Sequence, residues 1–361
     1  MTKSTASRAE ARFRQLCCMG LGGEAVMPAL IRELHDIIPF VQGVFFYNAA
    51  DGSLDHIYTE RPEQSATYVE TFHDARDHEI PGWGWRDWSQ TERGAHDLED
   101  ILSLDKRAFH KTDFFNLVYR PAGTDRLLRL VVRDHGKVVG STSVYRGGDR
   151  TWTTEDKRRL EALESFFAFA LRDRPSIDPV LADSGQEGLI VADASGHPLH
   201  LSREGVRLFY LATLPRIAPG TDFSRVKTLP APLVRICRNL AGIFSDQTEA
   251  PAPVYRHRNH WGGFVFRAHW LGDADPVAGR IAITIRHQEP VQIKLLRRAS
   301  ELPLSRRQAE VAFHLASGAS HEGIAERLGI SRNTAIAHGR WIYNKLDVHN
   351  RAELVNKLLA N

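Results

Sequence analysis

Residues 303–361 read PLSRRQAEVAFHLASGASHEGIAERLGISRNTAIAHGRWIYNKLDVHNRAELVNKLLAN. The pattern predicts helices over Ser305–Ser317, ending at Gly318, and over Ser320–Leu328, ending at Gly329. A third runs Ser331–Leu346, with Ser331 as its N-cap, and a fourth runs Arg351–Leu359. Short helices separated by breaks of a few residues, two of them containing glycine, have the layout of a helix-turn-helix.

The third helix is amphipathic. Ala335, Gly339, Ile342 and Leu346 recur on the face expected to meet the first two helices. Ile336, Ala337, Arg340 and Asn344 share the opposite face. Isoleucine, alanine and arginine together suit a solvated face poorly and a major groove well. Arg340 can donate two hydrogen bonds to a guanine, and Ile336 and Ala337 can pack on thymine methyls. Arg332, Asn333 and Thr334 stand at the helix start. Free N–H groups and polar side chains there suit a phosphate. Lys345 is expected to snorkel to the DNA backbone or to solvent.

The segment resembles the LuxR-type helix-turn-helix, also called the FixJ/NarL type. The matching residues are Leu304-Ser305, Glu310-Val311, Gly318, Ser320, Ile324-Ala325, Leu328, Ile330-Ser331, Thr334, His338, Ile342, Lys345-Leu346, Val348 and Arg351-Ala352-Glu353-Leu354. The resemblance implies a regulator that binds double-stranded DNA as a homodimer, with Ile336, Ala337 and Arg340 as base readers. It also implies a dimer contact on the fourth helix, whose apolar residues are Leu354, Val355, Leu358 and Leu359. Two positions depart from the family pattern. Ile336 stands where lysine is usual, which removes a cationic contact. Gly323 stands where glutamate is usual, and glycine within a helix costs roughly 1 kcal/mol against alanine.

Charge distribution agrees. From Lys294 to Asn361 there are eleven Lys/Arg and six Asp/Glu, a net +5. The whole chain carries +3, so the rest is −2. A basic tail on a slightly acidic body suits a polyanion partner. The chain shows no run of about 18 apolar residues, so no membrane helix is expected. Its start, MTKSTASRAEARFRQL, is polar, helical in pattern, and without the apolar core of a secretion signal. Three cysteines cannot pair evenly. A cytoplasmic location is expected.

The 361 residues leave room for two or three domains. Proline marks joints at Arg172–Pro179 and Pro290–Pro303. These delimit three expected domains, 1–172, 181–290 and 303–361; the first two read as α+β and the last as all-α. In the first, Val26–Ile38 reads as a helix, and Asp51-Gly52 turns a hairpin between Gly43–Tyr47 and Ser53–Tyr58. A second hairpin joins Arg126–Arg133 to Lys137–Arg146, and a helix runs from Thr153 through Leu171. In the second domain, strands are expected at Gly188–Ala192, Pro198–His200, Val254–His257, Gly263–Leu271 and Arg280–Arg286. Helices are expected at Ser202–Ala212 and Ala231–Ile243. The sequence shows no internal repeat.

The first domain resembles a GAF domain in its two hairpins, the GSTSVYR strand end and the helix after TWTTED. The second resembles a PAS domain in GLIVADASGHPLHLSREGVRLF and WGGFVFRAHWL. Both resemblances imply sensing of a small molecule or another signal. The aromatic cluster Trp83, Trp85 and Trp88 is the best candidate pocket wall, with Tyr47, Tyr58 and Tyr119 joining it. The spacing of the acyl-homoserine-lactone sensors is not reproduced.

Other features offer less chemistry. Cys17-Cys18 reads as inert. His257, His260 and His269 have no cysteine or carboxylate at ligand spacing, so no metal is expected. No acidic pair precedes Asp193, which argues against a phosphoacceptor. The sequence holds no phosphate-binding glycine loop and no nucleophile elbow, so no catalytic residue and no cofactor is assigned. The expected function is a transcription regulator controlled by a signal in its front domains. A ligand-independent regulator controlled by a protein partner is the alternative, and an enzyme with a DNA-binding tail is a more distant one.

Overall fold

Gly52 and Gly136, at φ 87° and 84°, turn the two hairpins of the first sheet. A computed structural model describes residues 3–69, 93–102, 104–148, 150–172, 178–245, 249, 251–271 and 280–360. Helices α1 (Lys3–Cys17) and α2 (Gly23–Ile37) come first. The first hairpin is β1 (Gln42–Asn48) with β2 (Leu54–Thr59). After a short β3 (Ala95–Asp97), β4 (Arg126–Asp134) and β5 (Lys137–Arg146) make the second. The antiparallel order is β2-β1-β5-β4-β3. The helix expected from Thr153 divides into α3 (Thr154–Glu161) and α4 (Glu164–Leu171). A capping box of Thr153 and Asp156 starts it.

Strand alternation gives this sheet two apolar faces. Phe45, Tyr47 and Tyr58 face the layer of α1, α2 and α4, where Phe45 stacks on Phe167 at 5.6 Å. Val44 and Phe46 face the other way, toward Phe109, Phe114 and Tyr119.

A second antiparallel sheet follows. It holds β6 (Leu181–Asp193), β7 (Pro198–Leu201), β8 (Val254–Asn259), β9 (Gly262–Leu271) and β10 (Arg280–Pro290). Helices α5 (Arg203–Thr213) and α6 (Ala231–Ser245) pack on it. The order β7-β6-β10-β9-β8 repeats the plan of the first sheet, although the sequence shows no repeat. α5 lies so close to β6 that a Cβ on Gly188 would come within 2.5 Å of the Gly205 Cα.

Pro290–Pro303 is not a loose joint. It folds as α7 (Val291–Glu301), with Pro290 at the N-cap, where a missing N–H costs nothing. Ile293, Leu295, Leu296 and Ala299 are buried on its inner face. α7 packs on the last module, whose helices are α8 (Arg306–Ala316), α9 (His321–Leu328), α10 (Arg332–Leu346) and α11 (Arg351–Leu359). The architecture is thus two antiparallel sheets with helices, followed by an all-helical helix-turn-helix domain.

The sheets meet along a seam. Ile57 N–H donates to the Ile217 carbonyl at 2.8 Å, and Trp261 packs on Tyr58 at 5.2 Å. Glu289, on β10, accepts from Arg32 of α2 at 3.3 Å and from Arg297 of α7 at 2.7 Å.

Candidate nucleic-acid interface

Each helix of the last module starts with the same device. Ser305, Ser320, Ser331 and Asn350 accept from the backbone N–H of Gln308, Gly323, Thr334 and Glu353, at 3.3, 3.1, 3.0 and 2.9 Å. Gly329, at φ 60°, ends α9 in the left-handed conformation that favours glycine. Arg351 also donates to the Ala319 carbonyl at 2.5 Å, tying α11 to the loop before α9.

Gly323 has no steric reason to be glycine. Its φ is helical, and an added Cβ would meet only the Ser320 Oγ, at 3.5 Å. Gly323→Ala is expected to raise the stability of the module by about 0.5–1 kcal/mol, read as a higher midpoint in thermal or urea unfolding. A drop would mean that the added methyl disturbs the Ser320 cap.

The buried side of α10 is Ala335, Gly339, Ile342 and Leu346, the face expected from the sequence. Arg332, Asn333, Thr334, Arg340, Asn344 and Lys345 are exposed, and Ile336 and Ala337 are half-buried. The Thr334 hydroxyl lies 2.8 Å from the Ser331 Oγ, within the cap. Arg332 pairs with Glu322 at 3.2 Å. Both side chains are well exposed, so the pair is worth little and leaves the guanidinium accessible. One outward residue was not singled out in the sequence. Trp341 is 59% exposed beside Arg340, with its ring edge-on to His338 at 5.7 Å. Its place four residues after Ala337 was the available signal.

On α11, Leu354 and Leu358 are buried, and Val355 and Leu359 are half-buried. α7 covers part of this helix.

Of the aromatic residues proposed for a pocket, the three described tyrosines do not all lie on one face of the sheet. Trp83, Trp85 and Trp88 lie outside the described residues. Tyr47 and Tyr58 are buried on the helix-covered face, and Tyr119 is on the other. Burial raises the Tyr47 phenol well above its usual range and pushes Tyr58 up to about 12, so both are neutral. Tyr119, Phe46, Tyr68 and Phe114 line a cavity of about 50 Å³. That is small beside the roughly 300–1,000 Å³ of a typical ligand pocket.

His260, which has no carboxylate or cysteine at ligand spacing in the sequence, acquires neighbours through the fold. Folding brings Glu24 and His56 to it, and one ligand atom from each of the three lies within 4.8 Å of the others. Sequence spacing could not show this, because the three residues come from distant segments.

Comparison with known proteins bears on the tail. The family described as bacterial regulatory proteins, LuxR family (GerE), matches residues 302–358. It is a family of regulators, not an enzyme class. The Fimbriae Z protein of Salmonella typhimurium (strain LT2) is 41% identical over 56 residues, which are 16% of this chain. The match spans only 27% of that protein's length. Among solved structures, a Vibrio cholerae VqmA dimer is 16% identical, with 49% of this chain and 83% of that chain covered, at a TM-score of 0.19. The E. coli DhaR(N)–DhaL complex gives 10% identity, 79% and 90% coverage, and a TM-score of 0.23. Overlaps this slight say nothing about the front two-thirds. The family match and the capped, outward-facing α10 together identify the C-terminal module as a LuxR-type helix-turn-helix domain.

Proposed function

We propose that the chain is a sequence-specific, DNA-binding transcription regulator that acts as a homodimer under the control of its front domains. The exposed face of α10 carries the reading. Arg340 and Asn344 stand free of the core, beside half-buried Ile336 and Ala337. In a major groove, Arg340 pairs with a guanine, and the two apolar side chains meet thymine methyls. Trp341 extends this surface toward the sugars. Arg332, Asn333 and Thr334, at the positive end of the α10 dipole, and Lys345 hold the phosphates.

The half-buried side of α11, at Val355, is the proposed dimer contact. Two copies would place their α10 helices in successive major grooves, about one helical turn apart. The bodies 1–172 and 181–290 serve as GAF-like and PAS-like sensors, and 303–361 is the output. Both bodies are built on the same strand order. In the alternative reading, a protein partner replaces the small molecule as the signal. A thermal-shift screen separates the two, because a true ligand raises the melting temperature with its concentration.

Selection from a random pool of DNA duplexes tests the main reading. The expected product is a pseudo-palindrome with a guanine in each half-site. A pool without enrichment after repeated rounds would overturn it.

A further inference from the structure

Three side chains with electron pairs to share converge at the seam between the two sheets. Glu24 is in the first turn of α2, His56 is on β2, and His260 is in the turn from β8 to β9. The His56 side chain is 1% exposed. Its Nδ1 lies 2.9 Å from the Asp55 carboxylate, which can only accept, so Nδ1 carries the proton. In the neutral ring, Nε2 is then bare. It stands 3.1 Å from Glu24 Oε1 but in no hydrogen bond of acceptable geometry.

His260 repeats the arrangement. Its Nε2 lies 2.9 Å from the Pro215 carbonyl, another pure acceptor, so the proton is there. The bare Nδ1 is 3.8 Å from Glu24 Oε2.

In these tautomers, two imidazole nitrogens with electron pairs to share face one carboxylate, and one ligand atom from each of the three residues lies within 4.8 Å of the others. We propose that Glu24, His56 and His260 form a site for one divalent transition-metal ion of the zinc class, clamping the two front sheets together. Two histidines and a carboxylate, with a fourth position for water, is a known open zinc donor set. Asp55 and the Pro215 carbonyl take the role of outer partners that fix the tautomer of a ligating histidine. Zinc bonds of about 2.0 Å place tetrahedral ligands roughly 3.3 Å apart. The 3.1 Å pair already fits, and the wider ones close by small side-chain rotations.

Arg216 is the group that opposes this reading. It lies 2.9 Å from Asp55 and 3.4 Å from Glu24. Its side chain is 54% exposed, however, and can swing into the adjoining cleft, which Glu24, His56 and His260 also line. Two carboxylates, Glu24 and Asp55, face the single guanidinium of Arg216, an excess of acidic groups that suits a cation. The proposal does not depend on whether the tail binds DNA.

The test uses untagged full-length protein, stripped with a chelator and titrated with Co(II). One ion per chain is expected, with the visible absorption of a tetrahedral centre, displaced by Zn(II). His260→Ala and Glu24→Gln should each weaken binding at least tenfold. His269→Ala, at an exposed position on β9, should leave it unchanged. Circular dichroism confirms that each variant is folded, and the partly exposed His260 is preferred to the buried His56 for that reason. Zn(II) should also raise the melting temperature of the parent protein and not that of His260→Ala. Absence of stoichiometric binding, or binding that survives both ligand substitutions, would overturn the site.

Discussion

Arg340→Ala is expected to weaken binding to the selected duplex by about 1–3 kcal/mol, roughly 5- to 150-fold, while the fold is retained. The side chain is exposed and appears in none of the described ion pairs, so its removal leaves no buried group unsatisfied. The loss should be concentrated at one base. Duplexes carrying adenine in place of the contacted guanine should bind the variant and the parent alike, because the missing hydrogen bonds were to guanine O6 and N7. A competition assay across single-base variants of the site reads this out. A uniform loss at every duplex would instead make Arg340 a phosphate contact. Unchanged preference would remove it from the reading surface.

Ile342→Ala acts on the other face of the same helix and should have the larger effect on stability. Ile342 is fully buried among the helices of the module. Truncation removes three carbons and leaves a cavity, at a cost of about 2–5 kcal/mol. A module of short helices has little reserve, because each helix depends on packing more than on propensity. The expected result is a lower unfolding midpoint and a loss of DNA affinity at every sequence. A stable variant with altered base preference would place Ile342 outward and reverse the assignment of faces. The two substitutions, two residues apart, thus separate reading from holding.

The features legible in the sequence were those set by local chemistry. Serine caps placed the starts of α8, α9 and α10, and glycine stops the ends of α8 and α9, all to within a residue or so. Asp51-Gly52 and His135-Gly136 placed both hairpins of the first sheet, because turns of this kind need residues that tolerate positive φ. Periodicity picked out the buried face of α10; of the four residues placed opposite it, Arg340 and Asn344 are exposed and Ile336 and Ala337 half-buried. α7 was missed, because prolines at 290 and 303 suggested a joint and hid the apolar stripe between them. β6 runs seven residues farther toward the N-terminus than its apolar core GLIVA, since pairing with β10 extends it through polar positions.

What lay beyond reach was anything created by tertiary contact. Tyr47 and Tyr119 looked like partners, yet they fall on opposite faces of one sheet. His260 looked solitary until folding carried it to Glu24 and His56, more than 200 residues away. Trp341 was passed over because the positions singled out on α10 were chosen for base and phosphate contacts, and an exposed tryptophan fits neither pattern.

The central claim is that α10 presents a DNA-binding surface, and the salt dependence of binding to the selected duplex tests it most directly. Log affinity should fall linearly with log salt, by about 0.9 for each phosphate neutralised, as expected if Arg332, Lys345 and the start of α10 lie on the backbone. Affinity that ignores salt, or that is missing for every duplex, would contradict the account.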